Sequence, residues 1–234
     1  MVGVAGCLAK EEHERKTPAK VTKQEEEDEI PLFYSDLMPL LLEYIDLYLI
    51  HWPFTVKPGK GGRPFAEEDL MPMDFKSVWA AMEECQRLGL AKFIGVSNFS
   101  CKKLQNLISS STIPPAVNQV EMSPIWQQKK LRDFCKANGI VVTAFSPLGA
   151  KGGAPAMLWR MKFSWRLQKQ GGRLLLSYNK ERLKENLQIF DWELSEDDCK
   201  KISETKQHGM MLKEEFISAR GPYNSIEELW DGEL

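Results

Sequence analysis

The sequence predicts an α/β protein in which parallel strands alternate with helices and form a barrel. Three observations support this prediction: short apolar runs, amphipathic segments between them, and polar residues at the end of each run. Strand and helix recur with a period of roughly 25 residues, which is typical of βα units and a parallel sheet. A barrel whose mouth is built from the strand ends explains why polar residues favour the same end of every strand.

The first strand is Tyr44 to Ile50, a run of aromatic and branched apolar residues with one acid at Asp46. A short run this apolar is typical of a strand covered on both faces. Pro53 must end the strand, because proline cannot donate to a ladder. His51 therefore lies at the carboxyl end of a buried strand, where catalytic groups collect in α/β proteins. A histidine that merely caps the strand is the alternative.

Three more strands are predicted after a long loop, each of them preceded by a helix. Asp74 and Ser100 are the expected N-caps of the first two helices, and Gly89 and Gly139 are expected to end the first and third. In order, the segments are a loop (Phe54–Asp74), helix (Phe75–Leu88), strand (Ala91–Val96), helix (Cys101–Ser109), strand (Ala116–Val120), helix (Gln127–Asn138) and strand (Ile140–Phe145).

The two ends of the chain are less regular. Residues 1–35 are predicted to be a disordered or irregular charged segment, because they offer little apolar surface to offset chain entropy. Residues 36–234 are predicted to be a partial barrel with a C-terminal tail. After Ala150 we expect a fifth strand (Leu174–Leu176), helices at Lys180–Gln188 and Ser195–Glu204, and an irregular tail from Lys206 in which Trp230 anchors onto the body.

Composition excludes several classes of protein. A net charge of −2 provides no electrostatic basis for binding nucleic acid or an anionic membrane. Five scattered cysteines favour free thiols in a reducing compartment, and three distant histidines argue against a metal site. No apolar run approaches the roughly 20 residues that span a bilayer. We therefore expect a cytoplasmic protein.

Four ordered motifs closely resemble the signature of the aldo-keto reductase family: Leu42–Pro53, Gly95–Phe99, Val117–Glu121 and Ser146–Gly149. Within the family, the chain is most similar to plant reductases, in particular the deoxymugineic acid synthases of grasses. The resemblance implies a (β/α)8 TIM barrel that binds NADPH across its mouth. It also implies hydride transfer to a carbonyl or imine of a small-molecule substrate. We expect the protein to be a monomer.

The resemblance assigns one catalytic residue. In the family, a tyrosine protonates the nascent alkoxide, helped by a lysine that an aspartate holds and by a histidine that orients the carbonyl. Of these four, only the histidine can be placed, at His51, and Trp52 beside it resembles a wall of the substrate pocket.

Cofactor contacts are implied residue by residue. Ser97, Asn98 and Gln119 match the groups that bind the nicotinamide carboxamide, and Phe145 matches the ring that stacks on the nicotinamide. The remaining matches are Ser146, Leu148 and Gly149 beside the pyrophosphate, Ser177 and Arg182 around the 2′-phosphate, and Glu185 and Asn186 at the adenine. Without the family, Arg182 and Glu185 would be interpreted as surface charges.

The chain also departs from the family pattern. About 40 residues before Leu42 cannot hold three βα units, so about five of eight are expected, and the catalytic aspartate, tyrosine and lysine are not assigned. Leu176 stands where the family has a lysine, which weakens the preference for NADPH over NADH. An open barrel exposes strand edges, so low stability and little activity are expected. A truncated, inactive homologue that at most binds a nucleotide or a partner is the alternative function.

Overall fold

The computed structural model describes residues 44–57, 60, 66–147, 195–207, 209 and 214–233. The strands in these ranges are β1 (Ile45–Ile50), β2 (Phe54–Val56), β3 (Leu70–Pro72), β4 (Ala91–Ser97), β5 (Val117–Glu121) and β6 (Val141–Phe145). The helices are α1 (Phe75–Arg87), α2 (Cys101–Ser110), α3 (Lys129–Ala137), α4 (Glu196–Ser203) and α5 (Ile226–Trp230). Short 3-10 turns occupy Glu67–Asp69 and Glu214–Phe216.

The four predicted strands within the described ranges pair in parallel, in the order β1-β4-β5-β6. Helices α1, α2 and α3 connect consecutive strands, as the alternating pattern predicts. The main core lies between these helices and one face of the sheet. Its largest members come from both layers, for example Tyr48, Ile94 and Trp79. The predicted strand Leu174–Leu176 and the predicted helix Lys180–Gln188 lie outside the described residues, as do residues 1–43.

Helix ends follow the local chemistry of the sequence. The Asp74 carboxylate accepts hydrogen bonds from the backbone N–H groups of Lys76 and Ser77, both at 3.2 Å, and begins α1. The Ser77 hydroxyl also donates to this carboxylate and lowers the pKa of Asp74 below its ordinary value. Ser100 caps α2 through its hydroxyl oxygen, which accepts from the Lys103 N–H at 3.1 Å. Gly89 follows α1 with a φ of 75°, a conformation that favours glycine. These predicted ends are confirmed.

The predicted loop Phe54–Asp74 is wrong in part, because β2 and β3 form a small antiparallel pair within it. Each strand has only three residues, too few for a hydrophobic period to reveal. The predicted irregular tail is also wrong in part, because it contains α5. Contacts between distant segments accompany both elements: the ring centroids of Phe54 in β2 and Phe216 lie 4.8 Å apart, and Trp230 of α5 lies 6.2 Å from Trp52.

A second, aromatic cluster joins the β2–β3 pair to residues 214–233, here called the C-terminal segment. It contains Trp52, Phe54, Leu70, Phe216, Tyr223 and Leu229. Trp230 lies against it, with its ring centroid 6.2 Å from that of Trp52, so the predicted anchoring role of Trp230 is confirmed. The Tyr223 hydroxyl donates to the backbone oxygen of Pro53 at 2.7 Å and closes the cluster.

Carboxylates of the C-terminal segment bind the start of α2. Asp231 accepts from the Ser100 hydroxyl at 2.5 Å and pairs with the Lys103 ammonium at 2.6 Å. Glu233 accepts from the Cys101 N–H at 2.7 Å. Burial alone raises the pKa of Asp231, but hydrogen bonds from Lys103 and Ser100 outweigh it and leave this pKa below its ordinary value. Burial lowers the pKa of Lys103, whose side chain is only 8% exposed. The pair is therefore a buried attachment point of the segment.

Replacing Asp231 with asparagine should lower the free energy of unfolding by about 3 kcal/mol, because the buried Lys103 ammonium then lacks its counter-charge. Asparagine tolerates the positive φ of 56° at this position, so the substitution isolates the charge. Urea unfolding at pH 7 measures the effect. The matched control is Asp133→Asn, which breaks an exposed pair with Lys129 and should cost under about 0.5 kcal/mol. Equal losses of stability in the two variants would contradict a buried, stabilising Asp231–Lys103 pair.

The same pair predicts a pH dependence. Because folding lowers the pKa of Asp231, its stabilising effect is complete above the ordinary aspartate pKa of about 3.9. The effect is lost as pH falls through the lower, folded value. The stability difference between the parent chain and Asp231→Asn should therefore shrink below about pH 4.

Close approach of β4 to β5 requires a glycine at position 95. A Cβ there would lie 2.5 Å from the Val117 carbonyl oxygen and 2.7 Å from the Leu49 Cδ2 atom. Backbone on one side and a fully buried side chain on the other leave little room for relaxation. Gly95 therefore allows β4 to lie beside β5 in the register that brings Ser97 opposite Gln119.

Gly95→Ala should destabilise the fold by about 3 kcal/mol, because the added methyl group cannot be accommodated without separating β4 from β5. Gly89→Ala is the control, since no atom lies within 4 Å of its Cβ position. It should cost only the left-handed backbone penalty of about 1 kcal/mol. Thermal or urea unfolding compares the two, and a Gly95→Ala cost no larger than that of Gly89→Ala would refute the close approach.

Candidate active site

Polar side chains gather at the carboxyl edge of the parallel sheet. Ile50 pairs with Val96, Ser97 pairs with Gln119, and Glu121 pairs with Phe145, so the four strands end at one edge. Immediately at or beyond these ends lie His51, Ser97, Asn98, Gln119, Phe145 and Ser146. The structure therefore brings together the predicted site residues that fall within its described ranges, except Trp52.

Hydrogen bonds connect the ends of three strands. The Gln119 backbone oxygen accepts from the Ser97 hydroxyl at 2.7 Å and from the Asn98 N–H at 3.0 Å. The Asn98 side-chain amide donates to the His51 backbone oxygen at 2.9 Å and to the Ser97 hydroxyl oxygen at 3.1 Å. Asn98 thus holds the segment after β1, while Ser97 and Asn98 together hold the end of β5.

Asn98 is unusual in two respects. Its φ of 63° lies in the left-handed region, which asparagine adopts more readily than most other non-glycine residues. Its side chain is buried, yet the Oδ1 atom has no hydrogen-bond partner among the described residues. A buried acceptor without a partner costs about 1–3 kcal/mol. Strain and an unmet acceptor in one residue are typical of a site that a ligand completes.

The side chains of His51 and Trp52 lie in different surroundings at the end of β1. The His51 ring is half-buried at the sheet edge, 5.9 Å from the Trp52 ring. Trp52 itself is only 3% exposed and packs edge-on against Phe216, with ring centroids 4.8 Å apart. The indole thus lies among the side chains of the C-terminal segment. Its role as a wall of the substrate pocket stays a prediction.

The end of β6 provides two further predicted residues. Phe145 is half-buried, and its backbone oxygen accepts from the Met122 N–H at 3.3 Å. Ser146 follows with a φ of 48°, another left-handed turn at this edge. The other predicted cofactor residues lie outside the described residues: Leu148, Gly149, Ser177, Arg182, Glu185 and Asn186. Leu176 lies outside them too.

Asn118 is a buried polar residue to which the sequence prediction assigned no role. It precedes Gln119 on β5 and is 0% exposed. Its amide donates to the Phe99 carbonyl oxygen at 2.9 Å. The alternation of side chains along a strand could have revealed this residue. If Gln119 points toward one face of β5, Asn118 points toward the other, helix-covered face, where a polar group needs a partner.

The buried cysteines of the described ranges are poor nucleophiles. The four cysteines that lie in the described ranges are free thiols, as predicted, and three of them are buried. Burial raises the pKa of Cys85 to about 11, that of Cys101 to about 12 and that of Cys135 to about 11. These three thiols therefore stay protonated at neutral pH.

None of the described helices is long and apolar enough to cross a bilayer.

Comparison with known proteins agrees with this geometry. The profile of the Aldo/keto reductase family matches residues 35–157. The chain is 47% identical to "Deoxymugineic acid synthase 1-B" of Triticum aestivum over 225 residues, which cover 88% of this chain and 71% of the relative. It is 45% identical to "(1S)-1,7-diacetoxy-luvungin A aldo-keto reductase" of Citrus sinensis, with 88% of this chain and 70% of the relative covered.

A solved structure gives the same assignment. The aldo-keto reductase of Bombyx mori, determined in complex with NADP, superposes with a TM-score of 0.63 at 32% sequence identity. The match covers 77% of this chain and 64% of the Bombyx mori chain. The chain belongs to the aldo/keto reductase family. The predicted fold class is thereby confirmed, and the described sheet contributes four parallel strands of the family's α/β barrel.

The left-handed conformation of Asn98 can be tested by stability alone. Asn98→Gly and Asn98→Ala both remove the side-chain amide, but only alanine pays for a positive φ. We expect Asn98→Ala to be about 1 kcal/mol less stable than Asn98→Gly. Urea unfolding of the two variants measures this difference. Equal stabilities would show that residue 98 does not hold the left-handed conformation.

Proposed function

We propose that the chain is an NADPH-dependent oxidoreductase that reduces a carbonyl or imine of a small molecule by hydride transfer, as a deoxymugineic acid synthase-like reductase. One observation carries this proposal: the hydrogen-bonded group at the carboxyl edge contains a single buried acceptor, Asn98 Oδ1, that lacks a partner among the described residues. Membership of the aldo/keto reductase family supports it. We also propose that the protein is a cytoplasmic monomer.

The residues at this edge fit a nicotinamide carboxamide. That group presents two N–H donors and one carbonyl acceptor, and Asn98 Oδ1 is a buried acceptor in need of a donor. The Ser97 hydroxyl and the Gln119 side chain complete a set of neutral polar groups beside it. When bound, the reduced nicotinamide supplies the hydride. The role of the three side chains is to hold the ring so that one face meets the substrate.

We propose that His51 acts on the substrate. Its backbone oxygen accepts from the Asn98 amide at 2.9 Å, so the residue that contacts the carboxamide also holds the histidine. We propose that the imidazole donates a hydrogen bond to the substrate oxygen and stabilises the negative charge that develops there. We also propose that Trp52 forms part of the wall of the substrate pocket, next to the His51 imidazole.

Further contacts are proposed from the family pattern. Phe145 stacks on the nicotinamide, and Ser146, Leu148 and Gly149 lie beside the pyrophosphate. Around the adenosine, Ser177 and Arg182 bind the 2′-phosphate, while Glu185 and Asn186 contact the adenine. Leucine at position 176 removes a cation from this end, which narrows the preference for NADPH over NADH.

Binding and turnover together test the proposal. We expect saturable binding of NADPH, followed by fluorescence, and oxidation of NADPH that depends on a carbonyl substrate. The 3″-oxo precursor of deoxymugineic acid is the first substrate to test, and a simple aldehyde is the second. Because the catalytic aspartate, tyrosine and lysine are not assigned, we expect a kcat below the common range of about 1–10³ s⁻¹.

Replacing His51 with glutamine should lower kcat by about 100-fold and leave NADPH affinity unchanged, because the imidazole acts on the substrate. Lys129→Ala is the control, since this lysine is exposed on α3. Absence of NADPH binding by the folded chain would refute the proposed function. Binding without turnover would instead favour the inactive nucleotide-binding homologue.

A further inference from the structure

The connection between β4 and α2 consists of only Asn98, Phe99 and Ser100. Phe99 is 1% exposed, and its backbone groups belong to neither the β4 ladder nor the α2 helix. Buried backbone groups need partners, because burying them without one costs about 1–3 kcal/mol each. The Asn118 side chain supplies both partners for Phe99.

Asn118 contacts Phe99 in the way that a neighbouring strand would. Its amide nitrogen donates to the Phe99 carbonyl oxygen at 2.9 Å, and its Oδ1 atom receives the Phe99 N–H at a longer 3.5 Å. Asn118 is 0% exposed, so water cannot take the place of either bond. A carboxylate lacks the donor and an aliphatic side chain lacks both groups, so an amide suits this position.

Two consecutive residues of β5 therefore hold Asn98 from both sides. On the N-terminal side of Asn98, the Gln119 backbone oxygen accepts from the Asn98 N–H at 3.0 Å. On the C-terminal side of Asn98, the Asn118 side chain accepts from the Phe99 N–H and donates to the Phe99 carbonyl oxygen. With both flanking segments held, Asn98 is kept at its φ of 63°, and its amide points between His51 and Ser97.

We propose that Asn118 is a positioning residue for the nicotinamide contact: through the Phe99 backbone, it holds Asn98 in the conformation that presents Oδ1 to the cofactor. This inference rests on the proposed function. Asn118 itself does not touch the cofactor, because it lies on the face of β5 that the helices cover. Its loss should therefore weaken binding at the nicotinamide end alone.

The test compares two ligands that differ only in the nicotinamide. NADPH binding is measured by fluorescence, and binding of 2′-phospho-ADP-ribose, which lacks the nicotinamide, is measured by calorimetry. For Asn118→Ala we expect the Kd of NADPH to rise about tenfold, which corresponds to 1.4 kcal/mol, with little change for the second ligand. If Asn118→Ala does not fold, Asn118→Ser, which keeps a shorter hydroxyl, replaces it with the same expected direction.

Two controls separate positioning from a general loss of stability. Asn138→Ala removes another amide that donates to a phenylalanine carbonyl at 2.9 Å, on the exposed end of α3. Leu107→Ala removes a buried side chain of α2 and destabilises the core without touching Phe99 hydrogen bonds. Both should leave the ratio of the two Kd values unchanged.

Hydrogen exchange tests the positioning without a ligand. In Asn118→Ala, the Phe99 amide should exchange faster relative to the Leu104 amide, which donates to the Ser100 carbonyl oxygen in the first turn of α2. Unchanged exchange at Phe99, or equal weakening of both ligands, would overturn the inference. If the parent chain binds neither ligand but exchange at Phe99 responds as expected, the proposed function fails while the structural role of Asn118 stands.

Discussion

The close pairing of β4 with β5 at their carboxyl ends is the constraint on which the site depends. Gly95 permits the approach, and the Gln119 backbone oxygen then accepts two hydrogen bonds from the last residues of β4 and its turn. Those bonds place Asn98 within reach of His51 on the other side of β4. A shift of one residue in this register would turn Ser97 and Gln119 toward the helices and dissolve the polar cluster.

Asn118 and Gln119 are adjacent on β5, and we propose different roles for their side-chain amides. In our proposal Gln119 contacts the cofactor, whereas Asn118 is fully buried and hydrogen-bonded to Phe99. A buried amide is costly unless both its donor and acceptor are used, and Asn118 uses both. Asn98 leaves its acceptor unused among the described residues. This contrast supports our proposal that Asn118 positions the connection and Asn98 binds the cofactor.

The C-terminal segment braces the same region from outside the sheet. Asp231 and Glu233 place two carboxylates at the N-terminus of α2, where unpaired N–H groups and the helix dipole favour negative charge. The segment also covers Trp52, the neighbour of His51, with Phe216 and Trp230. Residues more than a hundred positions away in sequence thus support the short connection that carries Asn98.

Local chemistry in the sequence determined the strand and helix order of the described ranges, the caps at Asp74 and Ser100, and the placing of His51, Ser97, Asn98 and Gln119 at strand ends. These follow from short-range rules: apolar runs form buried strands, and small polar side chains cap helices. Only the tertiary structure decided the β2–β3 pair, α5, the Asp231–Lys103 attachment and the role of Asn118. Each depends on contacts between distant segments, and a sequence pattern carries no information on which distant partner satisfies a buried group.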